Sequence, residues 1–209
     1  MRLLAILFGL AFAANAFAES AEVSITGRIF PGACTVSLGN GGVVNLGDIN
    51  TRQLDPDAAT TLDPVALSLT VVCESPVRFA FQGTDNTGDT SAVQGMWFGL
   101  GLTNAGEKIG GARLLVGQVT ADGDAAHGTE SEDNGATWKV SGSAGESNVI
   151  GQTNLQGFAK TAGVDTGPDP IRTLNGTVEV IARIVPLNEL TIGDEVLING
   201  SVTLDLIYR

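Results

Sequence analysis

The last nine residues of the sequence, Ser201 to Arg209, alternate with a period of two. Val202, Leu204, Leu206 and Tyr208 fall on one face; Thr203, Asp205 and Ile207 fall on the other. This is the pattern of a β-strand with one buried face. Terminal residues usually fray, so a terminal strand this regular is expected to be held in a sheet. Such a strand either has a hydrogen-bonding neighbour on each side or offers an open edge to another chain. The single tyrosine of the protein, Tyr208, lies on its apolar face.

The same short period recurs along the chain, and no segment carries a 3.6-residue apolar repeat. Strands are predicted over Val23 to Phe30, Cys34 to Leu38, Val43 to Leu46, Val65 to Cys73, Met96 to Leu102, Arg113 to Val119, Thr137 to Val140, Leu155 to Lys160 and Thr177 to Val185. Val77, Phe79 and Phe81 read as the return strand of a hairpin. Turn residues separate these runs: Pro31-Gly32, Gly39 to Gly42, the polar stretch 51–64, Gly83 to Ser91 and Pro186. The acidic stretch Ala121 to Asn134 and the stretch Ala162 to Pro170 read as loops. Many short alternating strands between glycine-rich turns predict an all-β antiparallel sandwich or barrel.

The first eighteen residues read as a secretory signal. Arg2 precedes an apolar run from Leu3 to Phe12, and Ala16-Phe17-Ala18 supplies the small residues of a cleavage site. The run is short for a membrane span. Cleavage after Ala18 is expected, giving a mature chain that begins at Glu19, with cleavage after Ala16 as the runner-up and no direct membrane insertion. Loss of Arg2 takes the formal charge from −12 to −13. Clustered Lys and Arg are needed to hold phosphates, so nucleic acid is not an expected partner. The two cysteines, Cys34 and Cys73, are expected to form a disulfide in an exported chain. A metal pair is the weaker alternative, because one histidine is all the chain can add.

Other chemistry has little to stand on. His127 is set among Asp122, Asp124, Glu130, Glu132 and Asp133. A lone histidine without a positioned nucleophile is not a triad, and the acidic spacing fits no calcium-loop template. A free-standing secreted sandwich that binds carbohydrate is the alternative reading; exposed aromatics would support it, but Trp97 and Trp138 sit in strand-like runs and are expected in the core. No enzyme activity, metal or cofactor is expected.

Several motifs occur in a telling order: the signal, then Val23-Ser24-Ile25-Thr26-Gly27-Arg28-Ile29-Phe30, Pro31-Gly32-Ala33-Cys34-Thr35, Gly41-Gly42-Val43-Val44-Asn45-Leu46-Gly47, the second cysteine closing Leu67 to Cys73, and the terminal strand with penultimate Tyr208. In this order the chain resembles the subunits (pilins) of chaperone–usher fimbriae, and among them a DUF1120-type fimbrial protein family. The resemblance covers the first third and the last fifth of the chain.

The resemblance implies an immunoglobulin-like, pilin-type β-sandwich that is incomplete and is completed by a donor strand. It divides the chain into a signal peptide (1–18), an N-terminal donor extension (19–30) and a pilin domain (31–209). Val23, Ile25, Gly27 and Ile29 would be the donor residues. Extended, Glu19 to Ile29 spans about 36 Å. Burying its three apolar plugs is worth roughly 5–9 kcal/mol before ordering costs. Read without the resemblance, the same segment is the first strand of its own domain. Val202, Leu204, Leu206, Tyr208 and Arg209 would form the strand that receives a chaperone or donor. The implied partners are a periplasmic pilus chaperone, an outer-membrane usher and other fimbrial subunits. The implied destination is the bacterial cell surface.

Overall fold

The computed structural model describes residues 33–209. In chain order the strands are β1 (Cys34–Leu38), β2 (Thr60–Thr61), β3 (Val65–Val77), β4 (Phe79–Asp85), β5 (Phe98–Gly99), β6 (Gly110–Ala121) and β7 (Asp124–Ala125), followed by β8 (His127–Ser131), β9 (Lys139–Gly142), β10 (Asn148–Ile150), β11 (Leu155–Ala159), β12 (Ile171–Ile184) and β13 (Val202–Tyr208). They form two antiparallel sheets. The larger has the order β1-β3-β12-β6-β10, with β2 on β12 and β5 and β7 on β6. The smaller has the order β13-β4-β11-β8-β9. Of the all-β sandwich or barrel expected from the alternation, the sandwich is the fold. Among the described residues no helix is long and apolar enough to cross a membrane.

The inward faces of the two sheets build the main core. Leu69, Val71, Leu174, Val116 and Val178 come from the larger sheet. Phe79, Phe81 and Phe158 come from the smaller, in edge-to-face contacts with ring centroids 5.7 and 6.4 Å apart. Each buried aromatic or aliphatic side chain contributes about 1.5–3 kcal/mol relative to exposure. In β3 the burial alternates cleanly over Leu67, Leu69, Val71 and Cys73, as the sequence pattern requires. A second cluster lies toward one end of the sandwich. There Leu54, Leu100, Ile109, Ala182 and Ile184 are covered by loop residues, including Leu46, Ile49 and Val196.

Several expectations are corrected. Val43 to Leu46 is not a strand. Asn40 and Gly41 are both left-handed (φ 51° and 61°) and swing the chain out of the sheet after β1. The β3–β4 junction is not a paired hairpin. The chain crosses from one sheet to the other at Arg78, and β4 pairs with β11 and β13 instead. Met96 to Leu102 contributes only the two-residue β5.

The acidic stretch 121–134 is not a loop throughout, since it contains β7 and β8. In β8 the buried positions are Gly128, Thr129 and Ser131, so no apolar alternation marks it. Asp122 sits in the turn before β7 (φ 53°). Its carboxylate accepts the backbone N–H groups of Arg172 and Thr173, at 2.9 and 2.8 Å, so this acid stitches a turn to β12. Strand β10 was not expected; its Asn148 is buried and polar. Trp97 and Trp138 are half-buried and outside the strands, not in the core.

Candidate functional site

Each sheet ends in a strand with a single neighbour among the described residues: β1, beside β3, and β13, beside β4. The register on β13 runs from Val202 opposite Asp85 to Tyr208 opposite Phe79. The two edge strands face each other across the mouth of the sandwich and run in opposite directions. The start of β1 meets the end of β13, where the N–H of Cys34 donates to the Tyr208 hydroxyl at 2.9 Å. Leu38, at the end of β1, shares a cavity lining with Val202 and Leu204, at the start of β13.

Between the Leu38 end of β1 and the Val202 end of β13 lies an open apolar groove of about 990 Å³. Its floor includes Leu67, Leu114, Val178 and Val180 of the larger sheet. Beyond the strands its walls continue as two irregular segments, Gly42–Ile49 and Leu190–Ile198. Three apolar residues of these walls stand exposed: Val43 (61%), Ile192 (37%) and Leu197 (72%). The acidic residues in the lining are Asp48, Asp194 and Glu195. Val202, Leu204, Leu206 and Tyr208 are half-buried and pack on the main core. Of these, Val202 and Leu204 line the groove as well, and so serve the core and the groove together. Apolar side chains left half-covered along a strand edge make a surface suited to another extended segment.

The disulfide forms as expected. Cys34 and Cys73 are directly opposite in the β1–β3 pair and are bonded. The bond ties the first residue of an edge strand to a buried position of β3, and so holds β1 on the sheet. At the far end of β13 the Arg209 N–H donates to the Arg78 carbonyl at 2.8 Å. The Arg209 guanidinium donates to Asn134 Oδ1, also at 2.8 Å. The expected donor residues Val23, Ile25, Gly27 and Ile29 lie outside the described residues, as do the expected signal peptide and Pro31-Gly32.

The remaining candidates take structural roles. His127 Nδ1 accepts the backbone N–H of Ala144 at 3.1 Å. Burial opposes ionisation of Asp122, but Lys160 and the N–H groups of Thr173 and Arg172 outweigh it and hold the carboxyl below its ordinary range. Among the described residues no group of three His, Cys, Asp or Glu side chains is placed to hold a metal ion. The two loop walls of the groove were missed from sequence. The available signal was apolar residues at irregular spacing inside Gly- and Asp-rich segments: Val43, Val44 and Leu46, then Ile192, Val196 and Ile198.

Fold and site together define a disulfide-bonded β-sandwich in which one edge strand of each sheet, β1 and β13, borders an open apolar groove. Comparison with known proteins adds two likenesses. Residues 23–96 match the family model described as "Protein of unknown function (DUF1120)", a stretch that includes β1, the disulfide, β3 and β4. The chain is also similar to "Protein GltF" of Escherichia coli (strain K12), 28% identical over 118 residues. That alignment covers 46% of this chain and 46% of the relative. The chain thus spans about half the length of the curated relative it matches.

Proposed function

We propose that this protein is a structural subunit of a chaperone–usher fimbria, exported through the periplasm and polymerised at the cell surface by donor-strand exchange. The observation that carries the reading is the pair of edge strands, β1 and β13, facing each other across an apolar groove. An extended segment laid along β13 would gain backbone hydrogen bonds from the strand edge. Its alternate side chains would enter the groove, which is the physics of β-strand addition. A periplasmic chaperone fills the groove first. The Glu19 to Ile29 segment of another subunit then replaces it, with Val23, Ile25 and Ile29 as plugs and Gly27 where backbone approaches closely. In this reading the chain is a shaft or adaptor subunit, uses no cofactor and catalyses nothing.

The test is expression of the mature chain with and without its candidate chaperone, followed by size-exclusion chromatography. The expected result is aggregation or degradation alone and a 1:1 complex with the chaperone. A stable free monomer would mean that the groove is already satisfied, and the polymerisation reading would fall.

A further inference from the structure

A second cleft, of about 620 Å³, lies beside the end of β4 and shares no lining residue with the groove. Its walls include Trp97, Asp85, Asp89, Gln94, Lys108 and Gln152. We propose that this cleft binds a neutral saccharide, with Trp97 as the platform for a sugar ring and Asp89, Gln94, Lys108 and Gln152 as partners of its hydroxyl groups. The proposal holds whether or not the chain polymerises.

The walls are held in place by their own bonds. Asp85 Oδ1 accepts the backbone N–H of Thr87 at 2.9 Å, and Oδ2 accepts that of Gly99 at 2.7 Å. The Thr90 hydroxyl donates to Thr87 Oγ1 and accepts the N–H of Gly101. Ser91 bridges to Gly110 of β6, and its carbonyl accepts from Lys108 Nζ at 3.2 Å. Gln152 Nε2 donates to the Trp97 carbonyl at 3.3 Å. The close packing depends on glycine. A Cβ on Gly99 would meet the hydroxyl oxygens of Thr90 and Thr87 at 2.1 and 2.4 Å. A Cβ on Gly111 would meet Ser91 Oγ at 3.0 Å and Trp97 Cβ at 3.3 Å. Residues 85–97 therefore lie down on β5 and β6 as a preformed wall, which lowers the ordering cost of binding.

The lining chooses the ligand class. The volume is within the ~300–1,000 Å³ range of small-molecule sites. An apolar ligand would strand the amides, carboxylates and ammonium without partners, at a cost for each. The two carboxylates outnumber the single lysine, and the chain carries a net −12, so an anion is repelled. A metal ion is poorly served, because Asp85 is committed to the wall and Lys108 already stands 3.9 Å from Asp89. A neutral sugar fits what remains. Its hydroxyls both donate and accept, matching amide, carboxylate and ammonium together. Its C–H face suits an indole, which is apolar in body and polar at one edge.

The experiment is ligand-observed saturation-transfer NMR on the mature chain, in whichever soluble form the assembly test yields. The probes are the methyl glycosides of glucose, galactose, mannose and N-acetylglucosamine, with sialyllactose as the anionic comparison. At least one neutral glycoside should bind, and Trp97→Ala should abolish its signal. Should Trp97→Ala fail to fold, the double variant Asp89→Asn with Gln94→Ala decides, since both side chains are on the surface. It should weaken binding at least about tenfold, the loss expected for hydrogen bonds that include a charged partner. Silence from every neutral glycoside, binding of sialyllactose alone, or undiminished binding by the double variant would each overturn the assignment.

Discussion

The Tyr208 hydroxyl accepts the backbone N–H of Cys34 at 2.9 Å, across 174 residues of sequence. This one bond joins one edge strand of each sheet, at the end where β1 begins and β13 finishes. It explains why the only tyrosine in the chain sits on the last strand: the ring packs on the core while the oxygen reaches across the gap. Tyr208→Phe keeps the ring and removes the acceptor. The N–H of Cys34 is part-buried, so the loss should be about 1–2 kcal/mol. It should appear as a lower denaturant midpoint with an unchanged slope. An unchanged midpoint would mean that the bond contributes nothing to holding the edges together.

The disulfide closes a loop with a sequence separation of 39 residues. By the chain-entropy estimate that constraint is worth about 4 kcal/mol, a large share of a typical domain's stability. Cys34→Ser should therefore cut periplasmic yield severely and leave the Cys73 thiol buried without its partner. Pulse-labelling of the exported chain measures this directly. Yield equal to that of the parent would show that the wall formed by β1 stands without the bond.

Legibility followed the source of each element's stability. β1, β3, β12 and β13 could be read in the sequence because apolar residues alternate where one face is buried, as at Leu67, Leu69, Val71 and Cys73. β8 and β10 could not. Their buried positions include Thr129, Ser131 and Asn148, polar groups satisfied by bonds such as Ser141 Oγ to Asn148 Oδ1, and no apolar period records a hydrogen-bonded interior. Half of the groove was legible for the same reason. β13 announced itself, whereas the wall from Gly42 to Ile49 follows the left-handed pair Asn40 and Gly41 and takes its position from tertiary packing. Trp97 and Trp138 misled, because an aromatic in a short apolar run looks like core until the neighbouring glycines are placed against it.

Gly83 of β4 faces Phe98, and a Cβ there would lie 2.4 Å from the ring's Cζ. Phe98 is fully buried and has no free space to retreat into. Gly83→Ala should therefore destabilise by about 1–3 kcal/mol through overpacking, despite the better strand propensity of alanine. Thermal denaturation is the check. A neutral or stabilising outcome would show that β5 can shift outward, and that the main core around Phe98 is softer than its burial implies.

Asp133 is fixed by the Thr137 hydroxyl, the Thr137 N–H at 2.8 Å and the Ser131 hydroxyl at 2.7 Å. These bonds, those from Thr137 foremost, lower its pKa from 3.8 to about 2. A folded-state pKa below the unfolded one stabilises the fold above the unfolded value, and that contribution is lost as pH falls through the folded one. The contribution of Asp133 should thus be whole above about pH 4 and gone near pH 2. The site is exposed, so solvent screens the effect. Asp133→Asn should be less stable than the parent at neutral pH, with the difference narrowing as pH drops through that window. A difference that stays constant with pH would assign the effect to the amide's geometry and not to charge.

The groove makes the sharpest demand. Leu204 is half-buried in β13, packs on the main core and lines the groove. Leu204→Lys would place an ammonium where, in the proposed assembly, a donor's apolar plug seats. Burying an unpaired charge costs several kcal/mol, comparable with the roughly 5–9 kcal/mol available from three plugs. In the free domain the long side chain can carry its charge out of the open groove, so folding should suffer less than assembly. Deletion of Glu19 to Ile29 attacks the same step from the other side and should leave the groove intact. In co-expression, the deletion variant should accept a donor from a full-length subunit but give none, capping polymers at one end. The lysine variant should donate but not accept, capping them at the other. Mixed at equal amounts with parent subunits, each should shorten fibres seen by electron microscopy, and the two variants alone should yield heterodimers only. Long fibres from either variant by itself would end the donor-strand reading of this groove.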